Sequence, residues 1–312
     1  MAKTATVSIM GVVCCTPNFS TSDPEVVEAI VDAIRAVEGA HVLDYTYDKH
    51  YNRLVITFVG DEEVVLEAML RGAAKAVDLI DMRYHRGQHP RIGAVDVVPF
   101  IPISGVSIED CVRLAKEFGR RFADEQGVPV YLYAEAATRP ERRSLAWIRE
   151  GEFERLEEMM AKPGREPDFG PRRPHPTAGA TAVGARKPIV NFNVDLGTTD
   201  LRIAKAIARA LHSEKGGLSN VKAIGVYVPE RSCVQVGMVI SDPEKTPLYR
   251  VIELVRLEAK RYGVPVLRAE FCGPIPLRAL IDVARYYLQV DGLREDDVLE
   301  VAIAKAMGRW PG

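Results

Sequence analysis

"PIVNFNVDLGTTDLRIAKAIARALH", residues 188–212, places a segment rich in branched apolar residues directly before one with helical periodicity. The first nine residues predict a buried strand. The apolar residues that follow recur at three- and four-residue spacing behind a Thr or Asp that can cap a helix. Two strands, a helix and a strand come next, at VKAIGVYVP (221–229), SCVQVGMVIS (232–241), TPLYRVIELVRLEAKRYG (246–263) and VPVLRAEFCG (264–273). This β-α-β-β-α-β order is typical of a ferredoxin-like lobe.

Residues 4–103 repeat this order of elements. In the helix expected at 20–37, Ser22 or Asp23 can serve as the cap and Pro24 suits the first turn. A second helix is expected at 61–80. Strands are expected at TATVSIMGVVCC (4–15), AHVLDY (40–45), RLVITFVG (53–60) and AVDVVPFIPI (94–103).

The remaining periodic segments complete a two-lobed chain. They predict a helix at 107–127, a strand at 128–137 and helices at 276–288 and 295–307. We therefore expect an α+β fold of two ferredoxin-like lobes, each a mixed sheet with helices packed against it. The division is expected after residue 180, which gives the domains 1–180 and 181–312.

The composition is that of a globular protein. The 312 residues are 47% hydrophobic and 27% charged, with a net charge of −2. This balance supplies a core and gives no reason to expect nucleic acid or an anionic membrane as a partner. The five cysteines form no CxxC pair and no zinc-type spacing, which favours reduced thiols. No signal peptide and no apolar run of ~18 residues is present, so we expect a cytoplasmic protein.

Residues 162–188, KPGREPDFGPRRPHPTAGATAVGARKP, interrupt the regular pattern. Proline and glycine recur through the segment, a composition that disfavours both regular helix and central strand. Two interpretations stay open: a flexible linker, or an ordered functional loop that crosses between the two lobes.

Residues 83–91, RYHRGQHPR, hold two of the six histidines. His85 and His89 are four residues apart, but Gly87 and Pro90 disfavour a helix that would join them in a metal site, and we expect no metal. An imidazole titrates near neutral pH and suits general acid–base catalysis. The alternative is a buried histidine with a structural role. The acids that could orient His89 are Asp44, Asp48 and Asp96.

Long collinear segments of the chain resemble one family. They are TPNFS (16–20), YNRLVITFVGDEE (51–63), LIDMRYHRGQHPRIGAVDVVPFIPISGV (79–106), GVPVYLYAEAA (127–137), REGEFERL (149–156), PDFG (167–170) and HPTAGATAVGARKPIVNFNVDL (175–196). Together they resemble the formiminotransferase domain of glutamate formimidoyltransferases, over about residues 8 to 290.

The resemblance implies transfer of a formimino group from N-formimino-L-glutamate to N5 of tetrahydrofolate, a reaction of histidine degradation. It further implies tetrahydrofolate as co-substrate in a tunnel between the lobes, a homodimer, and a stand-alone form without a cyclodeaminase domain. The catalytic histidine of the family falls on His89, with His85 as its scaffold or a neighbour of the substrate.

Further site residues follow from the resemblance and from their chemistry. Arg53 and Arg91 are candidates for binding substrate carboxylates, because a guanidinium pairs with a carboxylate through two hydrogen bonds; a surface salt bridge is the alternative for each. The remaining candidates are Asn18 and Asn52 for orienting the pterin or the amidine, Asp44 for orienting His89, and Gly170, Pro171, Pro176 and Gly179 in the segment that contacts folate in the family.

The sequence departs from the family pattern near the expected site. Cys14 and Gln88 replace glutamates, and Gly237 and Val239 replace a serine and an asparagine. Lost carboxylates alter the field at a catalytic base, and lost hydrogen-bonding groups alter specificity. Three alternatives therefore stay open: another donor such as formiminoglycine, closure of 5-formyltetrahydrofolate by a cyclo-ligase reaction, or folate binding without turnover. For Cys14, a packed strand residue is favoured over a nucleophile.

Overall fold

The computed structural model describes residues 11–307, so residues 4–10 of the first expected strand lie outside the described residues. The chain divides into two compact units, one ending at Arg186 and the other beginning at Lys187. The elements of the first unit are β1 (Val12–Cys15), β2 (Asn18–Phe19), α1 (Pro24–Arg35), β3 (His41–Asp48), β4 (Arg53–Gly60), α2 (Glu62–Leu79), β5 (Val95–Ser104), α3 (Ile108–Gln126), β6 (Val130–Ala134), α4 (Leu145–Ile148), α5 (Leu156–Met160) and β7 (Thr181–Ala185).

The first sheet begins as the expected split βαβ arrangement. β1 and β2 follow one another between β4 and β5, antiparallel to both, and β3 pairs with the outer side of β4. The sheet is then extended beyond β5 by two parallel strands, with β7 between β5 and β6. The helix caps also agree with the sequence, because Asp23 accepts a hydrogen bond from the backbone N–H of Glu25 and is followed by Pro24 at the start of α1.

The proline-rich segment is ordered, and the prediction that it contains no central strand was wrong. All five residues of β7 are buried between β5 and β6. Before β7 the chain makes single-residue bridges, between Phe169 and Val130 and between Gly179 and Gly93. Small side chains let β7 fit between two neighbours, and its apolar run is too short to stand out among the prolines. Because β7 belongs to the first sheet, the boundary lies six residues later than expected.

The second unit repeats the split βαβ arrangement. Its four strands lie in the antiparallel order β11-β8-β10-β9, and the predicted helices at its end are present. These features confirm the α+β class of both units. The elements are β8 (Val190–Leu196), α6 (Leu201–Leu211), β9 (Val221–Val228), β10 (Cys233–Ile240), α7 (Leu248–Arg261), β11 (Val266–Phe271), α8 (Leu277–Leu288) and α9 (Leu299–Ala306).

Each unit has its own apolar core. In the first, side chains of α1, α2 and α3 pack on one face of the sheet. A smaller cluster covers the other face near β5, β6 and β7, and there Ile148 of α4 and Leu156 of α5 pack with Ile92 and Tyr133. This smaller cluster fixes the segment that follows α4 beside the histidine loop. Within residues 11–307, no helix is long and apolar enough to cross a bilayer.

Candidate active site

The loop between α2 and β5, residues 80–94, carries both histidines and packs against the tip of the β3–β4 hairpin. A side chain at Gly87 would meet the carbonyl oxygen of Tyr51 at 2.4 Å, so only glycine permits this approach. The backbone N–H of Gln88 donates to the carbonyl oxygen of His50 at 3.2 Å. The loop is therefore held against the hairpin by backbone contacts between its two histidines.

His85 links the hairpin to the buried side of the loop. Its Nε2 lies 2.9 Å from the carbonyl oxygen of Asn52, and its Nδ1 accepts from Nε of Arg91 at 3.1 Å. Since Nδ1 accepts, Nε2 carries the proton and the ring is neutral. Burial lowers the pKa of His85, which agrees with the neutral ring. Both nitrogens are occupied, as in a residue with a supporting role.

Arg91 is already neutralised by two carboxylates of this chain. Its side chain is 4% exposed and donates to Glu152 at 2.9 Å and to Glu154 at 2.6 Å and 2.8 Å. With Nε on His85 as well, no edge of the guanidinium remains for a substrate carboxylate. The structure therefore does not support the expectation that Arg91 binds substrate. It anchors the loop to the segment after α4 instead.

His89 lies in a buried cluster of opposite charges. Its Nε2 is 3.3 Å from Oδ2 of Asp96 and 3.3 Å from Nη2 of Arg149, and Arg149 also donates to the same Oδ2 of Asp96. Asp96 is fully buried on β5, and its Oδ1 accepts from the backbone N–H of Ile92 at 2.9 Å. The N–H donors that hold this carboxylate, from Ile92 and Arg149, both belong to the first unit, so the geometry is preset.

The carboxylate beside His89 is thus Asp96 and not Asp44. Asp44 is exposed on β3, opposite Thr57 of β4. The sequence offered three acids, and the choice among them depends on which strand lies next to the loop. β5 does, since it begins six residues after His89, and the prediction for Asp44 was wrong.

The environment lowers the pKa of His89 below its ordinary value. The first cause is burial, which disfavours the charged imidazolium. Asp96 opposes this effect, while the positive charges of Arg149 and Arg53 add to it. The ring is therefore neutral near pH 7 and available as a base.

Arg53 differs from Arg91 because no carboxylate among residues 11–307 forms an ion pair with it. Its guanidinium makes no hydrogen bond within these residues, and its Nε is buried without a partner. The guanidinium carbon lies 5.7 Å from the ring centre of Tyr51. Burial, then the nearby charge of Arg149, lowers the pKa of Arg53 from its ordinary value. An unpaired, half-buried guanidinium favours an anionic ligand.

The two asparagines have different surroundings. Asn52 has a left-handed backbone (φ +49°) at the hairpin tip, donates from Nδ2 to the carbonyl oxygen of Arg86 at 2.8 Å and accepts from Ser22 at 2.8 Å. Both ends of its amide are occupied, so it shapes the loop. Asn18 is partly buried on β2, opposite Val55 and Val97.

The segment expected to contact folate, residues 170–179, is exposed or partly buried up to Thr177 and then pairs with the histidine loop. Gly170 and Gly179 have φ of +84° and +70°, values that favour glycine. Pro171 is partly buried and Pro176 exposed. Gly179 and Gly93 pair as an isolated bridge, which joins the end of the segment to the loop after His89.

Comparison with known proteins decides the family. The model of the formiminotransferase domain, N-terminal subdomain, matches residues 12–186, and that of the formiminotransferase domain matches residues 190–308. The chain belongs to the formiminotransferase family. It is 46% identical over 300 residues to the glutamate formimidoyltransferase of Thermoplasma acidophilum, covering 95% of this chain and 99% of that one.

Two further relatives agree with this membership. The glutamate formimidoyltransferase of Streptococcus pyogenes is 44% identical over 281 residues, which cover 90% of this chain and 94% of that protein. The formimidoyltransferase-cyclodeaminase of Rattus norvegicus is 44% identical over 286 residues, which cover 89% of this chain and 53% of that protein.

Sequence analysis missed three residues of this formiminotransferase site: Arg149, Glu152 and Glu154. All three lie in the segment REGEFERL, which was noted for its resemblance without roles for its charges. Glu152 has φ +53° and ψ −163°, a conformation that costs a non-glycine residue energy and that clusters at functional sites. The available signal was the density of charge, one Arg and three Glu within the six residues 149–154, directly after an apolar helix.

The departures from the family pattern leave the His89 cluster intact. Cys14 is buried, and burial raises the pKa of its thiol to about 11, which excludes a thiolate nucleophile near neutral pH. Gln88 neighbours His89 but is exposed. Gly237 lies opposite Asn193, and Val239 opposite Asn191, on the second sheet. Among residues 11–307 no group of three or more His, Cys, Asp or Glu could hold a metal ion.

Proposed function

We propose that this formiminotransferase moves the formimino group of N-formimino-L-glutamate to N5 of tetrahydrofolate, with His89 as the general base and acid. The observation that carries the proposal is the neutral, buried imidazole of His89, which is held on one side by Asp96 and Arg149. Relatives of matching length bear the name glutamate formimidoyltransferase, which supplies the donor and the reaction.

The reaction requires N5 of tetrahydrofolate to lose a proton and the glutamate nitrogen to gain one. N5 of tetrahydrofolate attacks the amidine carbon and loses its proton to the imidazole. The bond from that carbon to the glutamate nitrogen then breaks, and the imidazolium returns the proton to this nitrogen, so free glutamate leaves. General catalysis by one histidine contributes about 10²–10⁴-fold. Holding both substrates in attack geometry contributes more.

Nδ1 is the nitrogen of His89 that performs both transfers. Nε2 faces Asp96 and Arg149, whereas Nδ1 has no hydrogen-bond partner within residues 11–307. When Nε2 carries a proton it donates to Asp96, and the lone pair is then on Nδ1. This division of labour matches other histidine–aspartate pairs, in which the carboxylate fixes the tautomer and stabilises the imidazolium.

Arg53 is the residue we assign to a carboxylate of the donor. It is near the His89 cluster and lacks an anion of its own. A glutamyl donor carries two carboxylates and must be held by local positive charge, because the net charge of the chain is only −2. Arg91 has no comparable capacity, since Glu152 and Glu154 occupy it.

We further propose that residues 170–179 contact the folate, with Asn18 orienting the pterin or the amidine. The ordered path of the segment and its bridge to Gly93 support the first assignment. The family resemblance supports the second.

We also propose that the enzyme works in the cytoplasm as a homodimer. Within residues 11–307 no disulfide joins any of the five cysteines, and four of them are buried, as expected in a reducing compartment. The dimer rests on the family resemblance, and light scattering during size-exclusion chromatography tests it.

A panel of donors tests the function. The purified chain is incubated with tetrahydrofolate and formiminoglutamate, formiminoglycine or no donor, and in a separate reaction with 5-formyltetrahydrofolate and ATP. Release of glutamate together with formation of 5-formimino-tetrahydrofolate is expected only with formiminoglutamate. Release of glycine, closure that depends on ATP, or folate binding without any product would each replace the proposed reaction.

A further inference from the structure

The arrangement around His89 places an anion and a cation at the same distance from one nitrogen. Asp96 Oδ2 and Arg149 Nη2 each lie 3.3 Å from Nε2, and they also contact each other. The carboxylate favours a proton on the imidazole, and the guanidinium disfavours a second one. The protonation of His89 is therefore set by the balance of two opposite charges, both of them largely withdrawn from water.

Arg149 is fixed in this position by the fold. It directly follows α4, where its backbone N–H donates to the carbonyl oxygen of Leu145 at 3.0 Å and its own carbonyl accepts from Glu152 at 2.9 Å. Ile148, the residue before it, is buried in the small apolar cluster. The side chain of Arg149 is 13% exposed, and that of Asp96 is 1% exposed. This burial limits the screening that weakens surface charges.

The charged groups around His89 come from several elements. Asp96 is contributed by β5, Arg149 by the segment after α4 and Arg53 by β4, and the neutral His85 precedes His89 in the same loop. Within residues 11–307, Asp96 is the acid that acts most strongly on His89, and Arg149 is the one cation within hydrogen-bond distance of its ring. Because Arg149 also binds Asp96, it keeps the carboxylate ionised and aimed at Nε2.

We propose that Arg149 is a positioning residue for the reaction, which holds Asp96 against Nε2 of His89 and keeps the imidazole of the free enzyme neutral until N5 gives up its proton. This inference rests on the proposed role of His89 as the base. It assigns Arg149 a function for which neither the family resemblance nor the loop sequence gave a signal. The guanidinium serves the proton transfer through its neighbours and does not itself touch the reacting atoms.

Two variants that remove charges of opposite sign provide the test. In Arg149→Met the carboxylate acts alone, so the imidazole gains a proton more readily and the acid limb of the kcat/KM profile moves to higher pH. In Asp96→Asn the guanidinium acts alone, and the acid limb moves to lower pH. Arg149→Lys keeps the charge and returns the limb toward its wild-type position. Arg155→Met, which removes an exposed arginine paired with Glu158, is the matched control and leaves the profile unchanged.

A titration without substrate separates this inference from the proposed function. The imidazole of His89 is followed by NMR from pH 5 to 9, with its resonance assigned by its absence in His89→Asn. Opposite shifts in Arg149→Met and Asp96→Asn support the inference. Shifts in the same direction, or no shift in Arg149→Met, overturn it, provided that circular dichroism shows a folded variant. If His89→Asn retains turnover, the function of His89 is wrong, whatever the titrations show.

Discussion

Two arginines near the site differ in what neutralises their charge, and this difference decides what each can do. Arg91 has Glu152 and Glu154 within 3 Å of its guanidinium. Arg53 has no anionic partner within residues 11–307. From the sequence the two were equivalent candidates for a substrate carboxylate. The structure separates them, because only one of them has hydrogen-bonding capacity left.

Replacing Arg53 with Met tests its role at the donor. We expect the KM for formiminoglutamate to rise about 10- to 100-fold, because the donor loses one or two charge-assisted hydrogen bonds. The midpoint of urea unfolding stays near the wild-type value, since no partner in the chain is left unpaired. The contrasting variant is Arg91→Met, which we expect to lower the free energy of unfolding by about 1–3 kcal/mol. An unchanged KM in Arg53→Met would refute the assignment.

The lowered pKa of His89 predicts the acid limb of activity. Burial disfavours the imidazolium, so the pKa lies below the ordinary value of 6.5. Since the proposed base is the neutral ring, kcat/KM should rise with pH along a limb centred below 6.5. A profile measured from pH 4.5 to 9 checks this. A limb centred above 6.5 would mean that the charge of Asp96 outweighs burial.

Whether a site residue could be predicted from the sequence depended on its distance from His89 along the chain. His89 could be found because its loop has an unusual composition and resembles the family. Asp96 was among three acids, and selecting it requires knowing that β5 follows the loop directly. Arg149 is 60 residues away from His89 along the chain. Its position depends on tertiary packing of α4, for which periodicity gives no information.

At the scale of elements, the site depends on a close approach between the histidine loop and the chain before β7. A Cβ at Gly93 would lie 2.1 Å from the carbonyl oxygen of Ala180 and 2.5 Å from that of Ala178. Both obstacles are backbone, so they cannot rotate away. The two segments are therefore coupled, and a displacement of one moves the other.

Gly93→Ala is expected to disturb both stability and catalysis. Overpacking of this kind costs about 1–3 kcal/mol, and the shifted loop moves His89, so kcat should fall as well. Urea unfolding and steady-state assays measure the two effects. The control is Gly127→Ala, where a Cβ meets nothing within 4 Å and only the left-handed φ of +67° is unfavourable. If Gly93→Ala loses no more stability than this control and keeps its kcat, the coupling is absent.

Most elements could be predicted from local sequence patterns, but β7 could not. The caps and apolar spacing of α1, α2 and α3 are local features, and they place these helices correctly. β7 reads TAVGA, five small residues after a run of proline and glycine. It becomes a strand only because β5 and β6 lie on either side of it. A parallel strand of this kind is specified by its neighbours more than by its own sequence.

At the scale of the whole molecule, three histidines link folding to pH. Burial lowers the pKa of His85, His89 and His175. In the unfolded chain these rings bind protons at a higher pH than in the folded one. Stability is therefore fully present above the unfolded value of 6.5 and falls as the pH decreases through it.

We expect the free energy of unfolding to decrease between pH 7 and pH 5. Urea unfolding at a series of pH values measures this slope. His175→Gln should reduce the slope, since it removes one partly buried ring. A stability that stays constant or increases over this interval would contradict the burial of the three rings.

The two-lobed fold itself was predictable because each lobe repeats one order of elements with its own core. The reaction was not predictable from that order, since a ferredoxin-like lobe supports many functions. It depends on the site in the first unit, where a neutral histidine, a buried carboxylate and two arginines meet.

The most direct test of the account compares wild type with His89→Asn for transfer from formiminoglutamate to tetrahydrofolate, with tetrahydrofolate affinity measured by calorimetry on both proteins. The account predicts that wild type releases glutamate and forms the formimino-folate. It predicts that His89→Asn binds folate with similar affinity and loses about 10²–10⁴-fold in kcat. A variant that keeps kcat within about twofold, or a wild type that binds folate and releases no glutamate, would contradict it.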